Sequence, residues 1–206
     1  KSDCVAEHGA VEFTAQAMRL HPGNIAVQHA GCELLWRLLE GTSQAHRERG
    51  ASVWRAGGRE LAAVAIQGFA KNGLVQSEGC MLLQFLLRHL AGDVAIVEAL
   101  LQELVNAIMC GEGINERCSE KRGRVEFITE RLASSGGIEL TKAILRIHAE
   151  RQGVQSIGFE FLGDFIDGAP EAKRQERIFS IVRGDGIELA ARSMKQHSGG
   201  RDVQSR

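Results

Sequence analysis

Gly136-Gly137-Ile138-Glu139-Leu140, followed by Val154-Gln155 with its valine eighteen residues after the first glycine, decides the fold of this chain. The arrangement returns three times with no gap. Gly9-Ala10-Val11-Glu12-Phe13 leads to Val27-Gln28, Gly57-Gly58-Arg59-Glu60-Leu61 to Val75-Gln76, and Asp185-Gly186-Ile187-Glu188-Leu189 to Val203-Gln204. One shared internal spacing in four segments marks a repeat, and a period of roughly 20–50 residues is the signature of a repeat architecture. The starts lie 48, 79 and 49 residues apart. Taking the long interval as two units places a degenerate member third in order. Ile114-Asn115 stands for its Val-Gln, and Leu100, Val105 and Ile108 fill the apolar positions before it.

Each unit reads as helices. Phe13, Ala17, Met18 and His21 share one helical face, as do Leu61, Ala65, Ile66 and Phe69, and Leu140, Ile144, Leu145 and His148. A polar break follows at His21–Asn24, Lys71–Gly73 and Glu150–Gly153. A second helix then carries Gly31, Leu35, Leu38 and Leu39, or Gly79, Leu83, Leu86 and Leu87, or Gly158, Leu162, Phe165 and Ile166. Glycine at the start accepts the left-handed backbone that ends one helix before the next. Glu12, Glu60, Glu139 and Glu188 then fall in a first turn, facing the positive end of the helix dipole. Mid-helix Gly31, Gly79 and Gly158 cost helix stability, about 1 kcal/mol each against Ala. Their recurrence predicts a neighbouring helix too close for a side chain. The 48- and 49-residue intervals leave room for an extra short helix, at Ala45–Trp54 and at Glu171–Val182, with Pro170 at a first helical position. Units spaced near 40 have little such room. The stretch Glu116–Arg124 interleaves acids with bases and reads as a solvated loop or irregular helix.

Composition sets the class. The 206 residues are 44% apolar and 25% charged, with a net charge of -1, the profile of a globular protein. That balance lacks the basic excess expected of a nucleic-acid binder, and no window reaches about 18 uninterrupted apolar residues, so no membrane span is expected. The five cysteines form no CxxC pair. They read as small buried hydrophobes in a cytoplasmic or other reducing intracellular compartment. The first residues, Lys1-Ser2-Asp3-Cys4, carry no signal pattern and no initiator Met, so a piece of a longer chain is expected. No GxSxG, P-loop or HExxH motif occurs. His21, His148 and His197 share one repeat position, as do Cys32 and Cys80, whose place Phe159 takes in the fourth unit. Residues spread by periodicity do not converge on a reaction centre. No catalytic residue, cofactor or metal site is expected.

Gly-Gly-Ile-Glu-Leu, a helix, a Gly/Asn break and Val-Gln-x-x-Gly-Cys-x-Leu-Leu together resemble armadillo repeats, most closely the long-helix variety found in multidomain leucine-rich-repeat kinases. The resemblance implies an all-α, right-handed superhelical solenoid of about five armadillo/HEAT-like repeats, the third degenerate and the fifth truncated. The units are 9–56, 57–95, 96–135, 136–184 and 185–206 of one array. It further implies that the second long helix lines a concave groove for a protein or extended peptide. The groove positions where the nuclear-import members of the family carry Trp and Asn are Glu33 and Arg37, Met81 and Phe85, and Glu160 and Asp164 here. Their absence argues against import-type gripping of a peptide backbone. The strip that remains is an ion pair (Glu33 and Arg37), an apolar pair (Met81 and Phe85) that is either a contact spot or packing against the adjoining unit, and an acidic pair (Glu160 and Asp164). Trp36 lies off this face and is expected in packing. The expected role is a non-catalytic interaction scaffold. A regulatory repeat region of an enzyme such as a kinase, and a structural subunit of a large assembly, are the alternatives. The fifth unit stops before its second long helix, so further repeats or another chain are expected beyond Arg206.

Overall fold

A computed structural model describes residues 2–109 and 118–197. Among them the chain is all-helical, with eleven helices and no strand. It divides into two compact units, Lys1–Leu90 and Ala91–Arg206. The division falls inside the span that repeat spacing assigns to 57–95.

The first unit holds α1 (Ser2–Leu20), α2 (Ile25–Leu38), α3 (Gln44–Arg55), α4 (Gly58–Gly68) and α5 (Gly73–Leu90). Here α2 and α4 both pack along α5, α3 packs on α5, and α1 packs on α2. At Gly57 the backbone turns left-handed, with φ 78°, so the chain leaves α3 and enters α4 without a Cβ penalty. Gly9 makes no such turn, and α1 runs through it. Glu12 therefore sits mid-helix rather than in a first turn, because a single glycine followed by Ala10 and Val11 does not stop a helix. Asn24 caps α2 by accepting from the backbone N–H groups of Ala26 and Val27. Asn72 caps α5 through the N–H of Val75.

The second unit holds α6 (Val94–Met109), α7 (Cys118–Ser134), α8 (Gly137–Ile147), α9 (Gln152–Asp167), α10 (Glu171–Val182) and α11 (Gly186–Gln196). α6 and α8 both pack along α9, and α10 and α11 follow against α8. Gly136, φ 85°, repeats the turn of Gly57. Asp93 caps α6 through the N–H groups of Ala95 and Ile96, as Asn24 caps α2. This cap begins α6 about twenty residues before the Val-Gln position that spacing assigns to the third unit. Leu100 and Val105 are both buried within that one helix. The expected Val-Gln substitute, Ile114-Asn115, lies outside the described residues, as does Val203-Gln204. The early start of α6 makes room for the 17-residue α7. The span 96–135, expected to have little room for an extra helix, thus ends in a full one, and the stretch read as a solvated loop or irregular helix is helical from Cys118. The extra helices α3 and α10 stand where the long intervals predict them. Pro170 is the N-cap of α10, one place before its predicted position.

The small and polar repeat residues explain themselves in contact. A Cβ on Gly31 would meet Met18 Cγ at 2.5 Å, on Gly79 it would meet Ile66 Cγ1 at 2.6 Å, and on Gly158 Leu145 Cδ2 at 2.6 Å. Met18, Ile66 and Leu145 are repeat equivalents, so the same close crossing of two helices occurs three times. The glutamine of Val-Gln has its own task. Gln28 Nε2 donates to the carbonyls of Met18 (2.8 Å) and His21 (3.1 Å), and Gln155 Nε2 to those of Leu145 (2.8 Å) and His148 (3.1 Å). Gln76 reaches Ile66. Each buried amide thus donates to carbonyls at the C-terminal end of the preceding helix, two of which, His21 and His148, also accept the backbone N–H groups of Asn24 and Arg151. Lys142 is buried in the same spirit. Its ammonium donates to the Ser180 and Arg183 carbonyls at the end of α10, and to Glu139.

Candidate interaction surface

The expected groove strip is only partly a surface. Glu33 and Arg37 do pair on α2. Arg37 Nε and Nη2 both donate to Glu33 Oε1, at 2.9 and 2.8 Å. The Arg37 guanidinium lies 4.9 Å from the centre of the Trp36 ring, a cation–π contact that holds it flat against the helix. An exposed pair of this kind contributes about 0.3–0.5 kcal/mol, so it shapes the surface more than it stabilises it.

Met81 and Phe85 are not exposed, so of their two readings the apolar contact spot is corrected and packing stands. They are 5% and 4% exposed, within a helix buried from Val75 to Leu87. The Phe85 ring stacks on Trp36 with centroids 5.4 Å apart and planes at 24°. The Arg88 guanidinium sits 4.6 Å from the same ring, and burial lowers the pKa of Arg88 against the charge of Glu40. Trp36 Nε1 donates to Glu78 Oε2 at 2.5 Å. Trp36 is therefore the link between α2 and α5, in keeping with its expected packing role. Glu160 and Asp164 on α9 are half-buried, and both already hold interactions within the protein.

The thiols and imidazoles that could suggest chemistry are structural in geometry. Cys32 and Cys80 are fully buried. Burial, with the nearby charge of Glu78, pushes the Cys32 thiol up to about 12, far from a nucleophilic thiolate at neutral pH. Phe159, their equivalent, is half-buried. His148 Nε2 donates to the Ala91 carbonyl at 2.7 Å, and His197 Nε2 to the Ala149 carbonyl at 3.0 Å. Ala91 and Ala149 each stand two residues before an N-cap, Asp93 and Arg151. The two histidines thus make one repeated link. Among the described residues no group of three or more His, Cys, Asp or Glu side chains is placed to hold a metal ion. No helix there is long and apolar enough to cross a membrane.

The surface that spacing does not reveal lies on α1 and α2. Phe13, Ala17, Val27, Ala30 and Leu34 surround an open cleft of about 350 Å³, with Met18 and Gly31 at its floor. Phe13 is 75% exposed and Leu34 43%. Their equivalents Leu61 and Leu82 in the next unit are buried, at 6% and 0%. Periodicity puts Phe13 and Leu61 on the same apolar helix face, because it reports which face is apolar and not whether a neighbour covers it. No family model matches the sequence, and neither does any curated protein or solved structure.

Proposed function

We propose that this chain is an armadillo-type helical-repeat array that acts as a non-catalytic scaffold for a partner protein. The observation that carries the reading is the threefold recurrence of one contact set. A first-helix residue (Met18, Ile66, Leu145) meets a second-helix glycine (Gly31, Gly79, Gly158), and the glutamine three residues before that glycine clasps the first helix's C-terminal carbonyls. Identical junctions between successive elements are what a solenoid is built from, and solenoids offer extended surfaces rather than enclosed pockets. Buried, unreactive thiols and carbonyl-bound histidines are consistent with a binding role, and the free thiols suit a reducing compartment.

The polar contact residues are Glu33 with Arg37 on the first unit and, taken separately, Glu160 with Asp164 on the second. Met81 and Phe85 belong to the framework. A photo-crosslinking residue placed at Arg37 or at Glu160, in cells that naturally make the protein, tests this. A defined protein should be captured from these positions and not from Glu176 on α10. Capture of nucleic acid alone, or of nothing at either position, overturns the scaffold reading.

A further inference from the structure

We propose that the cleft between the N-terminal turns of α2 and α5 docks a short acidic segment of a partner protein, one bulky aliphatic side chain set among carboxylates. The cleft is apolar at its centre. Ile25, Ala26 and His29 of α2 face Leu74 and Val75 of α5 across about 190 Å³. Ile25 is 44% exposed and Leu74 55%. An apolar cavity of about 150 Å³ takes a benzene-sized group, so one branched side chain fits here. The residues that stack one helix pair on the next lie elsewhere. Val27, Ala30 and Leu34 line the open α1–α2 cleft, and a further pair stacked on α1–α2 would meet them there, as α2 meets α4 and α5. Ile25, Ala26 and His29 are on the side of α2 toward α5, so such stacking leaves the space between them and Leu74 open.

The charge of the rim selects the occupant. Residues 16–32 and 61–77, which run through the two helix breaks, hold no Asp or Glu, yet they hold Arg19, His21, His29 and Lys71. Arg19 is taken up by the Ala56 carbonyl. Lys71 and His21 are exposed, and Lys71 stands on a shallow depression over Gln67–Asn72 that meets the cleft at Asn72. The next carboxylates along α2 and α5 are engaged, Glu33 by Arg37 and Glu78 by the Trp36 indole. An acidic segment therefore meets attraction here, and a basic one meets only like charge.

The junction of α6 with α9 shows which group suits the spot. Aligned on the caps Asn24 and Asp93, and on Val75 and Val154, it matches the junction of α2 with α5. Glu98 stands there in place of His29, and Gly153 in place of Leu74. A Cβ on Gly153 would meet Glu98 Oε1 at 2.6 Å. That carboxylate thus lies against the first turn of α9, near the positive end of the helix dipole. Between α2 and α5 the matching residues are His29 and Leu74, so the carboxylate has to come from the partner and the apolar side chain beside it enters the cleft.

The inference rests on the scaffold reading, and the two fail separately. The probe is a capped pentapeptide, a leucine with two acidic residues on each side, titrated into the intact ¹⁵N-labelled chain. Amide signals of Ala26, Leu74 and Val75 should shift, and those of α10 should not. Alanine in place of the peptide's leucine should weaken binding about tenfold. Raising salt from about 0.1 to 1 M should weaken it as well. Leu74→Glu and Lys71→Glu, both at exposed positions, should each cost about fivefold or more in affinity, while Glu176→Ala leaves it unchanged. Equal binding of a peptide with lysines for its acids, or cleft signals that stay in place, overturns the acidic-segment site. So do cleft signals that move with protein concentration alone, which would make the cleft a contact between copies. Nuclear Overhauser contacts in the free chain from another segment to the Ile25 and Leu74 methyl groups would overturn it too. Crosslinking of a partner at Arg37 or Glu160 would still stand in those cases.

Discussion

At the scale of single residues, the helical glycines show how sequence sets spacing between helices. Alanine in place of Gly79 would gain about 1 kcal/mol of helix propensity. Its Cβ would also press on Ile66 Cγ1, which the β-branched side chain holds in its one strongly preferred helical rotamer, unlike the unbranched Met18 opposite Gly31. Overpacking of that kind costs roughly 1–3 kcal/mol, so Gly79→Ala should destabilise by about 1 kcal/mol net. Gly31→Ala should come out near neutral, because it meets the flexible thioether arm of Met18. Urea unfolding of both variants checks the order. Ile66→Ala should remove much of the penalty of Gly79→Ala in a double-mutant cycle, and additive losses would show the contact is not the cause. A second expectation concerns Cys32. With its thiol pushed up to about 12, only about one molecule in 10⁴ carries the thiolate at pH 8. Cys32 and Cys80 should resist a disulfide reagent in the native protein and react on unfolding. Prompt reaction of either would mean that the core opens there far more readily than its packing implies.

At the scale of elements, the glutamine clasp should matter more than a surface hydrogen bond. Gln155→Ala removes two buried bonds and strands the Leu145 carbonyl near the end of α8, while the His148 carbonyl keeps the backbone N–H of Arg151. A loss of roughly 2–3 kcal/mol is expected in thermal or urea unfolding. Ion pairs between elements add a pH dependence. The Lys173 hydrogen bond, helped by Arg177, lowers the pKa of Glu130, and Arg146 holds Asp185 at about 2. A carboxylate with a lowered folded pKa stabilises fully above its ordinary value, 4.5 or 3.8 here. That contribution fades as pH falls through the folded one. His89, lowered by burial from 6.5 and bonded to the Leu39 carbonyl, acts in the same direction. Below 6.5 the unfolded chain takes up a proton that the folded one refuses. Stability should therefore fall steadily from about pH 6.5 downward. His89→Gln should flatten the upper part of that slope and Asp185→Asn the part below pH 4. Unchanged slopes would assign the dependence to other groups. Elements were also where reading the sequence went furthest and stopped. Repeat spacing located α3 and α10 because Val-Gln precedes each and a unit start, Gly57-Gly58 or Asp185-Gly186, follows it. It gave no marker for α6, which has neither signature, and a run such as Val94–Met109 is apolar enough to fit more than one register. It could not tell that Met81 and Phe85 are interior, because α5 buries Ser77, Glu78 and Gln84 as well. A helix enclosed on all sides leaves no polar face to betray its orientation.

At the scale of the whole molecule, a repeat array and a single globular core differ in how stability is distributed. In an array each unit is held only by its neighbours, so stability is a sum of local terms and the least covered elements open first. A single core opens all at once. The burial pattern separates strong from weak elements. α5 is buried without a break from Val75 to Leu87, whereas α10 buries only Arg177 and α11 only Leu189 and Ser193. Phe179, Ile187 and Met194 on those two helices remain largely exposed. Native-state hydrogen exchange should accordingly show amides of α5 opening only with global unfolding. Amides of α10 and α11 should exchange at least about a hundredfold faster, a gap of about 2.8 kcal/mol at 1.4 kcal/mol per tenfold. Mild denaturant should bring α10 and α11 into exchange first, with α8 and α9 following as their contacts are lost. A single protection level shared by α2, α5, α8 and α11, with one denaturant dependence, would mean one cooperative core. The recurring glycine and glutamine contacts would then be a shared way of pairing two helices, and the linear-array reading, with the extended binding surface it implies, would fall.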